Sequence, residues 1–211
     1  MQSYLPSNHT HSKKFTLKEP LSILCIFFIG TGLGVLSKFL DEIPRGTLPL
    51  YLDILEIDRF LSRMSIWLLL ALVITLFSKT PLKAAISVFF FYAGMIGSYY
   101  TYSATVLGIF PYHKVIYWII LTIISPFLAY LCWYTRENTR FGKILTIGVI
   151  AVMFYYTFTY KQPELSIASL LDILTFSLCL FLFKRPLNQI IYLTFISIFL
   201  SFTLSAFLLF N

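Results

Sequence analysis

Residues 67–103 read WLLLALVITLFSKTPLKAAISVFFFYAGMIGSYYTYS, which is two apolar runs joined by a lysine-bearing turn at 78–83. A helix that spans a membrane needs ~20 mostly apolar residues, and Trp and Tyr are enriched where such a helix meets the membrane surface. The stretch therefore predicts a helical hairpin with lysines at one membrane face and tyrosines at the other. Two later hairpins, which turn at 136–143 and 184–186, repeat this plan.

The composition excludes a water-soluble globular domain. Hydrophobic residues form 58% of the 211 residues, charged residues form 12%, and the mean hydropathy is +0.83. A soluble domain would then have too few polar residues to cover its surface. We predict an all-α, polytopic transmembrane helix bundle with seven spans, formed by a single domain over residues 20–211 and preceded by a polar cytoplasmic tail over residues 1–19. The lipid bilayer is its first expected partner.

The basic residues predict how the bundle is oriented. The expected spans are 21–40, 65–77, 82–103, 115–134, 141–160, 166–183 and 187–210. With the N-terminus inside, ten Lys or Arg residues face the cytoplasm: Lys13, Lys14, Lys18, Lys79, Lys83, Arg136, Arg140, Lys143, Lys184 and Arg185. Six lie outside: Lys38, Arg45, Arg59, Arg63, Lys114 and Lys161. Because cytoplasmic loops are rich in Lys and Arg, this favours an N-inside, C-outside protein of the plasma membrane.

The net charge of +7 does not indicate a nucleic-acid partner. The basic residues occupy short turns between apolar runs instead of one patch interleaved with aromatic side chains. We therefore expect no nucleic acid to bind.

Small residues predict which helices approach closely. Gly30 and Gly34 in the first span lie at the four-residue spacing that allows two membrane helices to touch. In the third span, a second small-residue face is formed by Ala93, Gly94, Gly97 and Ser98. Lys38 continues the first stripe, and it either faces a partner helix or snorkels to the membrane surface. The last span carries a further stripe suited to packing, formed by Thr194, Ser197, Ser201 and Ser205.

Two other features allow both a functional and a structural interpretation. Residues 45–63 predict an amphipathic segment on the outer membrane surface, which would serve either as a lid over a site or as a cover for the bundle end. Pro126 lies inside the fourth span and deprives the Thr122 carbonyl of its usual partner. Such a break either lines a binding site or only kinks the helix.

Asp172 is the one ionisable residue well inside an apolar run. A carboxylate there is costly unless it is paired, protonated or hydrated. We expect it to point into the bundle, with possible partners that include Lys161 and a ligand-binding set at similar depth: Lys38, Tyr99, Tyr100, Tyr155 and Tyr156. An acidic and aromatic pocket of this kind would suit a cationic or amphiphilic ligand. The alternative is that Asp172 only hydrogen-bonds neighbouring helices and that the tyrosines form an interfacial belt.

Catalytic and cofactor signals are scarce. The sequence has no HExxH, no Gly-x-Ser-x-Gly and no P-loop, and Asp172 has no second intramembrane carboxylate to form a dyad. Cys25, Cys132 and Cys179 lie in apolar runs and are expected to be small buried hydrophobes. We predict no catalytic residues, no metal and no cofactor, and an enzyme is the less favoured class.

Several local motifs carry a resemblance. They are Gly32-x-Gly34-x-x-x-Lys38-x-x-Asp41, Ile66-Trp67, Met95 with Ser98-Tyr99-Tyr100, Ser125-Pro126 and Cys132-Trp133-Tyr134. These resemble a family of uncharacterised small multi-pass integral membrane proteins of Gram-positive-type bacteria, which implies a bacterial plasma membrane and no particular activity. The small-residue first helix and long first outer loop are more loosely similar to the substrate-binding subunits of energy-coupling-factor transporters.

Two functions follow from these expectations. The first is a non-enzymatic, transport-type or ligand-binding membrane subunit for a small or amphiphilic compound. The second is a structural, immunity-type or assembly protein that acts through helix contacts with another membrane protein or transporter subunit. A cavity bordered by Asp172 and the tyrosines favours the first, whereas an Asp172 paired with a neighbouring side chain favours the second.

Overall fold

The computed structural model describes residues 18–43, 57–108, 110, 112–158, 160–161, 164–165 and 170–209. Its helices are α1 (Lys18–Asp41), α2 (Ile57–Leu61), α3 (Met64–Phe77), α4 (Pro81–Val106), α5 (Tyr112–Trp133), α6 (Arg140–Thr157), α7 (Leu170–Leu182) and α8 (Leu187–Leu209). A 3-10 turn at Tyr134–Arg136 follows α5, and β1 (Tyr160–Lys161) pairs antiparallel with β2 (Glu164–Leu165). Each strand has only two residues, so the predicted all-α class is confirmed.

Four helices are long and apolar enough to cross a membrane, namely Pro20–Asp41, Pro81–Val106, Tyr112–Arg136 and Arg140–Thr157. Shorter apolar helices occupy Met64–Phe77, Leu170–Leu182 and Leu187–Thr203, although α8 continues as a helix to Leu209. The 14 residues of α3 extend ~21 Å at 1.5 Å per residue, less than the ~30 Å hydrocarbon core. The long helices indicate a membrane protein.

Side-chain hydrogen bonds bring the turns after α3, α5 and α7 to one end of the bundle. Trp133 Nε1 donates to Ser78 O at 3.0 Å, and Arg185 Nη2 donates to Thr135 O at 2.8 Å. We name this the basic end because its turns and helix ends carry Lys79, Lys83, Arg136, Arg140, Lys143, Lys184 and Arg185. At the opposite end, which we name the tyrosine end after Tyr99 and Tyr155, α1 and α4 finish and α3, α5 and α7 begin.

Two arginines stabilise the basic end by donating hydrogen bonds to carbonyl oxygens at the ends of neighbouring helices. Arg185 donates to the carbonyls of Thr135 and Glu137 and to Asn138 Oδ1. Arg136 donates to Ser78 O and lies over the Trp133 ring. Burial lowers the pKa of the Arg185 guanidinium from its ordinary value. Cations near the last carbonyls of a helix satisfy unpaired acceptors and complement the helix dipole.

Glycines hold α1 and α4 in close, parallel contact. A Cβ on Gly30 or Gly34 would collide with the backbone at Phe91 or Met95, and one on Gly94 would lie 2.5 Å from Phe27 O. Ser98 Oγ reinforces the contact by donating to Thr31 O at 2.8 Å. The predicted approach of the first and third spans is therefore confirmed, and it depends on residues without side chains at the contact.

The short helix α3 lies at the centre of the bundle. Its Trp67 belongs to one apolar cluster with Phe91 and Tyr92 of α4. Its Leu69 and Leu72 belong to a second cluster, formed with residues of α6, α7 and α8 that include Ile150, Met153, Cys179 and Leu193. Because α3 contributes to both clusters, it joins the α1, α4 and α5 side of the bundle to the α6, α7 and α8 side.

The polar stripe on α8 packs inward, as its spacing predicts. Ser197 and Ser201 are buried, and Ser197 Oγ donates to Ile147 O of α6 at 3.0 Å. The Ser205 side chain lies outside the described part of the chain. The prediction for the cysteines is correct only in part, because Cys179 is buried and Cys132 partly buried, whereas Cys25 is exposed on the outer face of α1.

Most of the predicted amphipathic segment over 45–63 lies outside the described residues. The part that the structure describes contains α2, followed by a turn at 62–63. Trp67 Nε1 donates to Leu61 O at 2.9 Å and fixes this turn against the start of α3.

Two glycines of α1 provide a test of the helix contact. We expect Gly34→Ala to lower the free energy of unfolding by ~1–3 kcal/mol, because the new methyl group meets the α4 backbone. Gly32→Ala is the matched control, since its Cβ has no atom within 4 Å, and it should leave stability unchanged or raise it slightly. Thermal unfolding of both variants in detergent measures the difference. Equal melting temperatures would contradict the proposed role of Gly34.

Candidate functional site

Asp172 lies in the first turn of α7 and is fully buried, with 0% of its surface exposed. Arg63 Nη1 donates to Asp172 Oδ2 and forms an ion pair with it. Ser65 Oγ donates to Asp172 Oδ1 at 3.1 Å. An arginine thus pairs with the carboxylate, and a buried serine donates a hydrogen bond to it. Both residues lie at the start of α3, and such an arrangement stabilises a charge inside a helix bundle.

Arg63 was not predicted as the partner of Asp172. The sequence assigned it to the outer surface segment, and the candidate partners were Lys38, Lys161 and the tyrosines. A signal was nevertheless present, because Arg63 directly precedes the apolar run of α3 and the predicted topology puts that point on the same membrane side as the start of α7. The Lys161 side chain lies outside the described part of the chain.

A separate cavity of about 450 Å³ lies at the tyrosine end. Its polar lining comes from α1, α4, α5 and the turn after α2: Lys38, Asp41, Ser62, Tyr99, Ser103 and Lys114. Its apolar lining includes Trp67, Met95, Ile96 and Trp118. The volume is within the range of ~300–1,000 Å³ that is typical of ligand pockets. Apolar walls with a few polar groups are also typical of such pockets.

Asp41 organises the polar wall of this cavity. Tyr99 Oη donates to Asp41 Oδ2 at 2.8 Å, and Ser62 Oγ donates to Asp41 Oδ1 at 2.6 Å. Lys38 forms an ion pair with Glu42, and its Nζ lies 5.5 Å from the centre of the Tyr99 ring. The predicted contact of Lys38 with another helix is therefore present, as a cation over an aromatic ring.

Lys114 differs from these groups because it is not bonded to another described residue. It lines the cavity from the first turn of α5 and is exposed. No hydrogen bond or ion pair joins it to another described residue. Among the cavity cations that the structure describes, it is the one whose charge is available to a bound molecule.

The six residues predicted as a single ligand-binding set occupy three places. Lys38, Tyr99 and Tyr100 line the cavity. Asp172 lies in the network with Arg63 and Ser65 and is not among the lining residues. Tyr155 and Tyr156 lie near the end of α6, with their rings 5.3 Å apart, and also do not line the cavity.

The turn at 62–63 connects two of these places. Ser62 bonds Asp41 at the end of α1, and the adjacent Arg63 pairs with Asp172 at the start of α7. One backbone segment therefore contributes to the cavity wall and also holds the buried ion pair.

The break at Pro126 is closed within its own helix. Ser125 Oγ donates to Thr122 O at 2.9 Å and so satisfies the carbonyl that the proline leaves without a partner. This supports the simple kink. Within the described residues, no cluster of three or more His, Cys, Asp or Glu side chains could hold a metal ion.

Asp172 is more deeply buried than Arg63. We therefore expect the loss of stability to depend on which member of the ion pair is replaced. Arg63→Gln leaves a fully buried carboxylate without its cation, and we expect a loss of ~3–5 kcal/mol in the free energy of unfolding. Asp172→Asn should cost less, because the Arg63 side chain is 31% exposed and can reach water.

The double variant completes the test. Arg63→Gln combined with Asp172→Asn should be more stable than Arg63→Gln alone, which a denaturation titration in mixed micelles can measure. Lys38→Gln is the control at a more exposed pair, with an expected change of ~0–1 kcal/mol. Additive losses in the double variant would contradict a direct interaction.

No protein family model, no curated protein and no solved structure matches this chain. The function proposed below is therefore inferred from the cavity, the buried network and the sequence itself.

Proposed function

We propose that this protein is a seven-span membrane protein, with its N-terminus in the cytoplasm and its C-terminus outside, that binds a small amphiphilic compound in the cavity at the tyrosine end. It acts as a ligand-binding or transport-type subunit in the plasma membrane of a bacterium, the last point resting on the sequence resemblance. The cavity of about 450 Å³ between α1, α4 and α5 carries the proposal.

The lining of the cavity supports an amphiphilic ligand with an acidic group. Trp67, Met95, Ile96 and Trp118 offer an apolar surface. Lys114 offers a positive charge. Asp41 already accepts two hydrogen bonds and would repel an anion, so the acidic group of the ligand lies toward Lys114. This differs from the cationic ligand suggested by a pocket around Asp172.

The distribution of charge supports the proposed orientation. Within the described residues, Lys18 and the seven Lys and Arg residues named above belong to the basic end, whereas Lys38, Arg59, Arg63, Lys114 and Lys161 belong to the tyrosine end. Loops on the cytoplasmic side carry the excess of Lys and Arg. The short helices α3 and α7 span in this scheme because the membrane thins or the helix ends snorkel. The 23 residues of α8 are long enough to cross the hydrocarbon core.

A second function is favoured by a different observation. Asp172 is paired with Arg63 and Ser65, as expected for a residue that only stabilises the bundle. If the cavity binds nothing, the protein acts through helix contacts with another membrane protein, as a structural, immunity-type or assembly factor.

The orientation predicts which engineered cysteines a membrane-impermeant reagent reaches. In a variant with the three native cysteines replaced by Ser or Ala, Tyr112→Cys at the tyrosine end should react in intact cells. Lys79→Cys at the basic end should react only after the membrane is permeabilised. Both positions are exposed, so the comparison is matched. The reverse pattern would overturn the N-inside orientation.

Ligand binding is testable by tryptophan fluorescence, because two of the three tryptophans line the cavity. We expect butyl phosphate to change the emission of a Trp133→Phe protein and butylammonium to have little effect. Lys114→Gln should weaken butyl phosphate binding by about tenfold, the size expected when a charged hydrogen-bonding partner is lost.

Lys79→Gln is the matched control, since it removes an exposed lysine at the opposite end, and it should leave binding unchanged. Absence of saturable binding by either probe to the folded protein would overturn the ligand-binding proposal and favour the helix-contact function.

A further inference from the structure

An apolar groove adjoins the cavity. It lies between α4 and α5, has a volume of about 350 Å³, and is lined by residues that include Phe89, Ala93, Gly97, Ile119 and Ile123. Ile96 and Tyr100 line both the groove and the cavity. The two spaces therefore share a wall. From the polar cavity, the groove continues along α4 and α5 in the direction of the basic end.

The groove opens toward the surroundings of the bundle. A Cβ placed on Gly97 would have no atom within 4 Å, so this glycine forms a shallow floor. Ile119 and Ile123 are 46% and 66% exposed. From Val115 to Ile123 the α5 side of the groove extends ~12 Å along the helix. In the proposed orientation, this surface faces the hydrocarbon of the outer half of the bilayer.

Tyr100 marks the boundary between the two spaces. It is 7% exposed, and its hydroxyl forms no hydrogen bond with another described residue. Its position between a polar cavity and an apolar groove suits the point where the head group of an amphiphile meets its chain.

We propose that the ligand is a single-chain lipid of the surrounding bilayer that carries an acidic head group. The head group lies in the cavity near Lys114, and the alkyl chain lies in the groove between α4 and α5. This inference rests on the proposed ligand-binding function and adds the class of ligand and its lateral route from the membrane. A groove of about 350 Å³ lies at the small end of ligand pockets, which favours one chain over two.

The test uses two probes that share a head group and differ in chain length. Butyl phosphate and dodecyl phosphate are titrated into Trp133→Phe protein in phosphatidylcholine nanodiscs, with dodecyl phosphate expressed as a mole fraction of the lipid. Gly97→Leu should weaken dodecyl phosphate binding at least tenfold, because the new side chain fills the groove. Butyl phosphate binding should change by less than threefold.

Gly32→Leu is the matched control, since its Cβ position on α1 is equally open, and it should bind both probes like the parent protein. Ala93→Leu, two turns from Tyr100 along α4, provides a second block of the groove. Melting temperatures establish that each variant is folded.

The outcomes separate the two proposals. If the parent protein binds neither probe, the ligand-binding function fails. If it binds both probes and neither Gly97→Leu nor Ala93→Leu weakens dodecyl phosphate relative to Gly32→Leu, the chain does not lie in the groove and the lipid inference is overturned. Equal weakening of both probes would also overturn it, because the groove residues would then affect the head-group site.

Discussion

The buried carboxylate of Asp172 is the constraint on which the arrangement of the bundle depends. A charge with no exposed surface must be compensated within the protein. Among the described residues, Arg63 pairs with it and Ser65 donates a hydrogen bond to it. Because both flank the start of α3, the ion pair holds that helix against the first turn of α7. The next residue back, Ser62, bonds Asp41, so the same turn also fixes the end of α1. One electrostatic requirement thus determines where three helices meet.

The position of the cavity follows from the residues that α1 and α4 place against each other. Around Gly30, Gly34 and Gly94 the backbones touch, because no side chain separates them. Toward the tyrosine end the facing residues become Lys38, Asp41 and Tyr99, whose side chains keep the helices apart and turn toward one another. Because Asp41 and Lys38 bond to neighbouring side chains in the cavity wall, they do not fill the adjoining space between α4 and α5. The change from small to large residues along one helix pair therefore separates a tight contact from a cavity.

The sequence predicted the helices well and the position of side chains around the bundle poorly. Hydropathy and turn composition gave the helices, and the spacing of Gly30, Gly34 and Lys38 gave the contact with α4, because both signals are local. Asp172 was expected to point inward, as it does. Its partner lies 109 residues away, and several groups at similar depth were equally compatible with the pattern. Tyr155 and Tyr156 were expected at the depth of Tyr99 and Tyr100. An expected depth does not specify which neighbouring helix a side chain faces, so the residues of the predicted set lie in three places.

The energetics of a lipid ligand clarify what each part of the proposed site would contribute. An alkyl chain that moves from the bilayer into the groove leaves one apolar environment for another, so the hydrophobic effect supplies little free energy. Affinity would then come from the head group, which leaves the membrane interface and binds the charge of Lys114 and the hydroxyl of Tyr100. The groove would select by shape, admitting a single chain over Gly97 and aligning the acidic group with the lysine. Discrimination among lipids would therefore depend on two separable features, the charge of the cavity and the small residues of α4.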